Sequence, residues 1–141
     1  MADKVSPTKR SSIMRSVKSK DTTPELITRR LLHRLGYRYQ IHTKDLPGHP
    51  DLVFPARKKV IFVHGCYWHR HLNCSRASTP ASNTEYWSQK FRQNQERDQK
   101  NYRLLQADGW RILVVWECET KDLDALQNKL TTFLGPPKIA N

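Results

Sequence analysis

The stretch DLVFPARKKVIFV, residues 51–63, contains two short apolar runs joined by the basic linker PARKK. The runs are rich in β-branched and aromatic side chains, and so short a linker favours a β-hairpin. In this hairpin Asp51 begins the first strand, and His64 follows the end of the second. Asp51 and the residues after Val63 are therefore the first candidates for a functional site.

A helix is predicted from the segment TTPELITRRLLHRLG, residues 22–36. Thr23 can cap this helix with Pro24 at the first helical position. Alternatively, Thr22 and Glu25 have the spacing of a capping box, and the two registers compete. The predicted buried face consists of Ile27, Leu31, Leu32 and Leu35.

A second, longer helix is predicted over residues 84–107, with Ser82 and Glu85 as its capping box. Its apolar residues fall on one side and are Trp87, Phe91, Tyr102 and Leu105. Two polar residues continue that side where a core would need apolar groups, Asn94 and Asp98. Polar groups on an inward face indicate either a functional cleft or the edge of the helix.

Three further segments complete the predicted core. The alternating residues 37–41 predict a strand, and the apolar run WRILVVWEC, residues 110–118, predicts a central strand buried on both faces. The last helix, at about residues 122–134, presents Leu123, Leu126, Leu130 and Phe133. This order of elements predicts a mixed α/β domain around a small sheet.

Length and charge limit the class of protein. The 141 residues fit one domain, which we predict at 22–134 between a basic N-terminal arm, 1–21, and a C-terminal tail, 135–141. The net charge of +12 favours nucleic acid or an anionic surface as partner. The arm is either a solvated tail or a segment that orders on DNA. Because we find neither a membrane span nor a signal peptide, we expect the protein in the cytoplasm.

All three cysteines are candidates for one zinc site. Cys66 and Cys74 bracket one loop, and a sheet could bring Cys118 to the same place. Structural zinc binds four tetrahedral nitrogen or sulfur ligands, so that one histidine would complete the set. His69 and His71 both lie in the loop, and their spacing does not decide between them. The alternative is three unrelated buried thiols, because free cysteine packs as a small hydrophobic residue.

Carboxylates suitable for Mg²⁺ occur on three predicted elements. Metal-dependent phosphodiester cleavage needs such groups, and Asp51 is the first candidate, which Glu25 and Asp98 could join. A histidine near Asp51 could act as base, and His64 and His69 both follow the second strand closely. Taken singly, each carboxylate also has an ordinary structural interpretation as a turn cap, a capping-box residue or a helix-surface charge.

Two large aromatic residues, Tyr67 and Trp68, lie on the same loop between the candidate zinc ligands. Aromatic side chains can stack on or between bases, at a cost of about a few kcal/mol of unstacking. The alternative is that they cover the sheet as apolar groups.

Six motifs together resemble the very short patch repair DNA mismatch endonucleases, over about residues 8–134. In chain order they are MRSVKSKDTTPE, LPGHPDLVF, VIFVHGCYWHRH, TEYWSQK, ERD and GWRILVVWEC. The resemblance implies a PD-(D/E)XK-type, restriction-endonuclease-like α/β fold with a structural zinc site. It implies a Mg²⁺-dependent enzyme that nicks duplex DNA 5′ of the thymine in a T:G mismatch, which arises when 5-methylcytosine deaminates. A monomer at the bacterial nucleoid is implied too, with mismatch-repair proteins as candidate partners.

The resemblance also implies a role for each matching residue. Asp51 would be the carboxylate ligand of Mg²⁺, Val63 would supply a backbone carbonyl to the ion, and His69 would be the general base. The supporting active-site residues would be Glu25, His64 and Asp98. The zinc ligands would be Cys66, His71, Cys74 and Cys118. The aromatic residues that wedge into DNA from the major groove would be Tyr67, Trp68 and Trp87, and the arm would reach the minor groove with Met14 and Val17.

Two positions depart from the family pattern. Valine occupies position 63, where a family member has threonine, and one additional residue precedes Cys74. Two other functions compete with the mismatch nickase: a related nuclease of restriction type, and a zinc-dependent DNA-binding module without enzymatic activity. The module would leave Asp51, His64, His69 and Asp98 without a role.

Overall fold

Three helices and three strands make up the part of the chain that the computed structural model describes, residues 22–67, 69–71, 74 and 82–137. Two short 3₁₀ helices follow the first and third strands, at Pro55–Arg57 and Glu117–Lys121. In chain order the main elements are α1 (Thr23–Leu35), β1 (Leu52–Phe54), β2 (Lys59–His64), α2 (Thr84–Ala107), β3 (Arg111–Trp116) and α3 (Leu123–Leu134). The predicted arm lies outside the described residues.

The sheet has the order β1-β2-β3 and is mixed. β1 and β2 form the predicted antiparallel hairpin, with Leu52 opposite Ile61, whereas β2 and β3 are parallel, with Val63 opposite Val115. The prediction that the run 110–118 forms the central strand is wrong, because among the described strands β3 pairs with β2 alone. Side chains of β3 pack against both core clusters, Leu113 and Val115 on one face and Ile112 and Val114 on the other, but at this edge only Val115 of the strand is buried.

The helices cover both faces of the sheet. Side chains alternate along the hairpin, so that Leu52 and Ile61 join the core cluster beneath α1 and α3, and Val53 and Phe62 join the cluster beneath α2. The α/β class is therefore confirmed, as a thin sheet between two helical layers. Because the alternation continues to the end of β2, the side chain of His64 points towards α2.

The predicted strand at residues 37–41 is wrong. Gln40 makes an isolated bridge to Val53, but the neighbouring residues do not pair. Tyr37 is fully buried in the core, while Ile41 at the other end of the segment is 39% exposed. The left-handed backbone of His42, with φ of 57°, turns the chain away from the extended path immediately afterwards.

The start of α1 follows the capping-box register. Thr22 is the N-cap and its hydroxyl accepts a hydrogen bond from the backbone N–H of Glu25, so the alternative with Thr23 as cap is wrong. Gly36 ends the helix in the left-handed conformation, with φ of 100°. Two of the predicted apolar positions, Leu31 and Leu32, are buried. The N-terminal turn of α1 thus holds Glu25 in a fixed position beneath the sheet.

The bounds predicted for α2 are confirmed at Thr84–Ala107, but its predicted capping box is wrong. Asn83 is the N-cap, in a left-handed conformation, and makes no side-chain capping bond. Towards the middle of the helix, Asp98 is partly buried at the edge of the core. A Cβ atom on Gly48, whose φ is 76°, would lie 3.1 Å from Asn101, so the turn before β1 fits against α2 only with glycine there.

α3 begins after Asp122, whose carboxylate accepts a hydrogen bond from the backbone of Ala125. The prediction that Leu123 belongs to its buried face is wrong, since this side chain is 45% exposed. The C-terminal carbonyls of α3 and of the residues after it accept hydrogen bonds from Arg57 and Lys59 on the hairpin. These cations satisfy carbonyls that the helix leaves unpaired. None of the helices in the described parts of the chain is long and apolar enough to cross a lipid bilayer.

Candidate active site and metal cluster

Asp51 lies at the start of β1 beside a second carboxyl group. Its Oδ2 accepts a hydrogen bond of 2.6 Å from the backbone N–H of Val63, across the hairpin. Glu25 of α1, which is only 3% exposed, lies within hydrogen-bonding reach of the Asp51 carboxyl. Arg29 donates to Glu25 Oε2 over 2.8 Å and supplies the nearest positive charge. A loop, a helix and a strand therefore meet at two carboxyl groups.

The environment of Asp51 disfavours its charged form. Burial raises the pKa of Asp51 to about 7, and the neighbouring Glu25 carboxylate adds to the rise, while the hydrogen bond from Val63 opposes it. A bound cation reverses this balance, because it stabilises both carboxylates in their charged form. Carboxylate oxygens are the ligands that Mg²⁺ prefers in proteins, so the donor set at Asp51 fits that ion.

Two histidine rings stack next to these carboxyl groups. The rings of His64 and His69 lie 3.7 Å apart between centroids and are inclined by only 9°. Asp98 Oδ2 is 2.6 Å from His69 Nδ1, and Tyr102 Oη is 2.6 Å from His64 Nε2. Burial lowers the pKa of His64 to about 3, with the neighbouring His69 as a second cause, so the His64 ring is uncharged at neutral pH.

Asp51 lies near the histidine pair, because its carboxylate binds the backbone N–H of Val63 and His64 is the next residue of the chain. The pKa of Tyr102 is raised by burial first, and then by the nearby negative charges of Asp98 and Asp51. The residues predicted for catalysis, Glu25, Asp51, His64, His69 and Asp98, are therefore brought together from α1, the hairpin, the following loop and α2.

His69 and Asp98 have the arrangement of a general base and the carboxylate that orients it. A carboxylate can only accept a hydrogen bond, so Asp98 holds the proton of His69 on Nδ1 and leaves Nε2 as the basic nitrogen. A base oriented in this way can take a proton from an attacking water molecule. Asp98 of the polar stripe on α2 is thus partly buried and contacts a loop histidine, whereas the functional cleft stays a prediction.

We expect Asp98→Asn to lower the rate constant of a hydrolysis that uses His69 as its base by about 100-fold, because general-base catalysis contributes roughly 10²–10⁴-fold and depends on the position of the base. An amide at position 98 can donate to His69 Nδ1 and so favours the wrong tautomer. Glu96→Gln removes a carboxylate from an exposed position of the same helix and is the matched control. Hydrolysis rates that fall equally in the two variants would contradict the orienting role of Asp98.

A second cluster of ligand atoms lies next to the histidine pair. One ligand atom from each of Cys66, His71, Cys74 and Cys118 lies within 4.8 Å of the others. The Nδ1 atom of His71 is 3.6 Å from the Sγ of Cys66 and 3.4 Å from the Sγ of Cys118. In a tetrahedral zinc site, Zn–S and Zn–N bonds of ordinary length put sulfur and nitrogen about 3.6 Å apart. The donor set and its spacing therefore fit zinc.

The electrostatics of this cluster also suit a divalent cation. Burial raises the pKa of the Cys66 thiol to about 12; the backbone N–H of Cys118 opposes the rise, and side-chain hydrogen bonds with Cys118 and Cys74 add to it. A bound metal ion would favour the thiolate instead of the protonated thiol, because it binds thiolates and displaces their protons. The ring of His71 stacks on Trp116 at 4.3 Å, which fixes the direction of its Nδ1 atom.

The sequence left open which histidine belongs with the cysteines. The structure brings His71 to the cysteines and His69 to Asp98, although only one residue separates the two histidines. The left-handed conformation of Arg70, with φ of 55°, turns the chain between them and sends the two rings to different sites.

The predicted aromatic DNA contacts lie partly within the described residues. Tyr67 packs edge-on against Phe91 at 5.4 Å, and Trp87 stacks on the same ring at 6.0 Å. The guanidinium of Arg70 lies 4.1 Å from the centre of the Phe91 ring. Tyr67 and Trp87 therefore form one aromatic surface between the loop and α2. The remaining predicted contacts, Met14, Val17 and Trp68, lie outside the described residues.

Sequence analysis missed three residues of this region. Arg29 pairs with Glu25, Arg70 packs on the aromatic surface, and Tyr102 hydrogen-bonds His64. The signal for Tyr102 was its position four residues after Asp98 on the inward side of α2, where a tyrosine offers a hydroxyl as well as an apolar ring. Arg29 could have been found in the same way, since it follows Glu25 at the spacing of a helical ion pair.

The sequence of this chain is similar to known proteins of one family. A model of the family described as DNA mismatch endonuclease Vsr matches residues 2–76, more than half of the chain. The type II nicking enzyme V.XorIIP of Xanthomonas oryzae is 50% identical over 136 residues, which are 96% of this chain and 99% of that protein. The type II nicking enzyme V.NmeAIP of Neisseria meningitidis is 40% identical, with 99% of each chain covered. The DNA mismatch endonuclease Vsr of Escherichia coli is 39% identical over 94% of this chain and 84% of its own length.

Proposed function

This chain belongs to the Vsr family of DNA endonucleases, and we propose that it nicks duplex DNA 5′ of the thymine in a T:G mismatch. Such mismatches arise when 5-methylcytosine deaminates, and the nick would start very short patch repair. The observation that carries this proposal is that the Asp51–Glu25 carboxyl pair lies at the hairpin end that carries His64, whose ring stacks on the His69 ring contacted by Asp98. A binding module without enzymatic activity would have no use for an oriented base beside a cation site.

Asp51 is the proposed carboxylate ligand of Mg²⁺, and the backbone carbonyl of Val63 is the proposed second protein ligand. A bound Mg²⁺ ion supplies charge stabilisation at the phosphate and makes water more acidic. Because a backbone carbonyl is the same for valine and threonine, the valine at position 63 is compatible with this role. Glu25 would assist through water molecules, since its own carboxylate is held by Arg29 at 2.8 Å.

His69 is the proposed general base. Its Nε2 atom takes a proton from the attacking water, while Asp98 stabilises the imidazolium that forms at Nδ1. His64, stacked on His69, contributes a hydrogen bond to the phosphate and keeps the ring of the base from turning. Attack by water forms a bond between the water oxygen and phosphorus and breaks the bond between phosphorus and the 3′ oxygen, on the 5′ side of the thymine. The thymine nucleotide keeps the phosphate, and the released 3′ oxygen takes a proton from solvent to become a hydroxyl.

The cysteine cluster is proposed as a structural zinc site held by Cys66, His71, Cys74 and Cys118. His69 lies between two of these ligands in sequence, so zinc would fix the loop that carries the base. The aromatic surface formed by Tyr67 and Trp87, with Trp68 beside it in sequence, is the proposed wedge that enters DNA at the mismatch. The arm, through Met14 and Val17, is proposed to contact the minor groove.

This arrangement supports a PD-(D/E)XK-type architecture, in which a short sheet presents metal-binding carboxylates at one end. We further propose that the enzyme acts as a monomer on DNA and that mismatch-repair proteins are its partners. The net charge of +12 supplies attraction to phosphates that does not depend on sequence, so binding should weaken steeply with salt.

The test is a nicking assay on labelled duplexes that contain a single T:G pair, compared with the same sequence containing A:T or C:G. We expect one nick in the thymine strand, directly 5′ of the mismatched base, only when Mg²⁺ is present. Equal cutting of both strands of fully paired DNA would instead support a restriction-type nuclease. Binding without cleavage by protein that contains both metals would support the non-enzymatic module.

The flanking bases need a separate experiment. Two of the similar proteins are named type II nicking enzymes, each of a different organism, whereas a third is named a mismatch endonuclease. We propose that this chain prefers T:G mismatches within one particular methylation sequence. A duplex library with randomised bases around the mismatch, sequenced after nicking, would identify that preference, and uniform nicking across the library would contradict it.

A further inference from the structure

Tyr102 is a partly buried tyrosine of α2, and its hydroxyl contacts the ring of His64. Its Oη atom lies 2.6 Å from Nε2 of His64, which is a short and well-formed hydrogen bond. The Tyr102 ring is held by an edge-on contact with Phe62 at 5.4 Å between centroids. A ring fixed in this way can hold its hydroxyl in one place.

Tyr102 and Asp98 hold the two stacked imidazoles in parallel. They lie one turn apart on the same side of α2, at the i and i+4 positions. Asp98 contacts His69 at 2.6 Å, and Tyr102 contacts His64 at 2.6 Å. Because the two rings are 3.7 Å apart and nearly parallel, one helix face fixes both of them.

We propose that Tyr102 is a positioning residue that holds His64 as the tautomer with its proton on Nδ1. A phenol donates a hydrogen bond much more readily than it accepts one, and an unprotonated imidazole nitrogen is a strong acceptor. The Tyr102 hydroxyl therefore donates to Nε2, and the single ring proton of His64 resides on Nδ1. The hydroxyl beside Nε2 determines the tautomer of His64, so a variant without this hydroxyl should populate both tautomers.

The fixed tautomer has a consequence for the proposed reaction. With the proton on Nδ1, His64 offers an N–H donor on the side of the ring opposite to Tyr102. Such a donor can hydrogen-bond a phosphate oxygen whose negative charge grows during hydrolysis, whereas the other tautomer would turn a lone pair towards it. This catalytic part of the inference rests on the proposed nicking activity, but the tautomer itself does not.

The first test is Tyr102→Phe, which removes only the hydroxyl. We expect the nicking rate constant at saturating DNA to fall by about tenfold, the lower end of what the loss of an outer hydrogen-bond partner typically costs. The dissociation constant for the T:G duplex should stay unchanged, because Tyr102 does not contact DNA in this proposal. Tyr37→Phe is the matched control, since it removes a tyrosine hydroxyl that donates to the Gly135 carbonyl instead.

The second test reads the tautomer directly by ¹⁵N NMR of the imidazole nitrogens in the full-length, metal-loaded protein without DNA. The signals of His64 are identified among the six histidines by their loss in His64→Gln. We expect Nε2 as an unprotonated acceptor and Nδ1 as the protonated nitrogen, and a mixture of tautomers in Tyr102→Phe.

The outcomes separate this inference from the proposed function. A wild-type protein with the proton of His64 on Nε2 overturns the inference, whether or not the protein nicks T:G mismatches and whether or not Tyr102→Phe folds. A Tyr102→Phe variant with the wild-type tautomer and the wild-type rate overturns it as well. A protein with the expected tautomer that does not nick T:G mismatches retains the inference about Tyr102 and refutes the mismatch substrate.

Discussion

Asp51→Asn is expected to lower the nicking rate by at least about 10³-fold while leaving DNA binding within a few-fold of wild type. The loss is large because a metal ligand that stabilises charge in the transition state contributes several kcal/mol, and each ~1.4 kcal/mol corresponds to a factor of ten. The amide can still accept the hydrogen bond that Val63 N–H gives to Asp51 at 2.6 Å, so the hairpin should keep its shape. Single-turnover nicking and a gel-shift titration measure the two quantities separately.

Asp45→Asn is the matched control for this experiment. Asp45 is an exposed carboxylate in the turn before β1, and its loss should change neither nicking nor binding beyond the general effect of one charge. If Asp51→Asn retained a tenth of the wild-type rate at saturating Mg²⁺, Asp51 would not be the principal metal ligand.

In the absence of metal, Asp51→Asn should stabilise the folded protein, although it lowers the nicking rate. The folded protein holds the Asp51 proton up to a pH of about 7, whereas the unfolded chain releases it near the ordinary value of 3.8. The folded state therefore binds more protons, and this group lowers the stability as the pH rises through that window. In the presence of a chelator, Asp51→Asn should unfold at a higher temperature than wild type at about pH 8, and the difference should shrink towards about pH 5.

Loss of the proposed zinc ion is the second change with a large expected effect. We expect one zinc per chain by elemental analysis, and Cys118→Ser should lose it and unfold at a temperature lower by about 10 °C or more. The reason is that the cluster joins the loop after β2 to the segment after β3, which are distant in sequence.

The two histidines of the loop provide the matched pair of variants for the zinc assignment. His71→Gln should lose zinc, and the Co²⁺-substituted protein should lose the absorption of thiolate-bound, tetrahedral cobalt. His69→Gln should keep zinc and the folded structure but lose nicking. Retention of one zinc by His71→Gln, or its loss from His69→Gln, would reverse the assignment that the geometry supports.

Secondary structure was predictable where the sequence pattern is compatible with only one kind of element. The hairpin follows from two apolar runs too close together for any other connection, and α2 follows from a long periodic segment between turn-forming residues. The sequence pattern was not sufficient where several backbone conformations are compatible with it. The alternation at residues 37–41 satisfies a strand, yet Tyr37 is buried against the end of α3, and His42 turns the chain before a second strand can pair.

The apolar run of β3 shows the same limit. Its composition correctly indicated a strand, but composition says neither how many neighbours a strand has nor how deeply its side chains are buried. β2 occupies the centre because it pairs with β1 on one side and with β3, through the long crossover over α2, on the other. The number of neighbours is thus a property of the connections rather than of the strand itself.

What the sequence by itself determined is the supply of reactive groups: three cysteines, the histidines of one short loop, and an aspartate at the start of a hairpin. Only the tertiary structure decided how these groups are divided. It brings Cys118 to Cys66 across the ends of two parallel strands, and it directs His69 and His71 to different clusters through the left-handed turn at Arg70. Donor types are a matter of composition, but the sets in which they act depend on distances of a few ångströms between segments far apart in the chain, and packing alone fixes those distances.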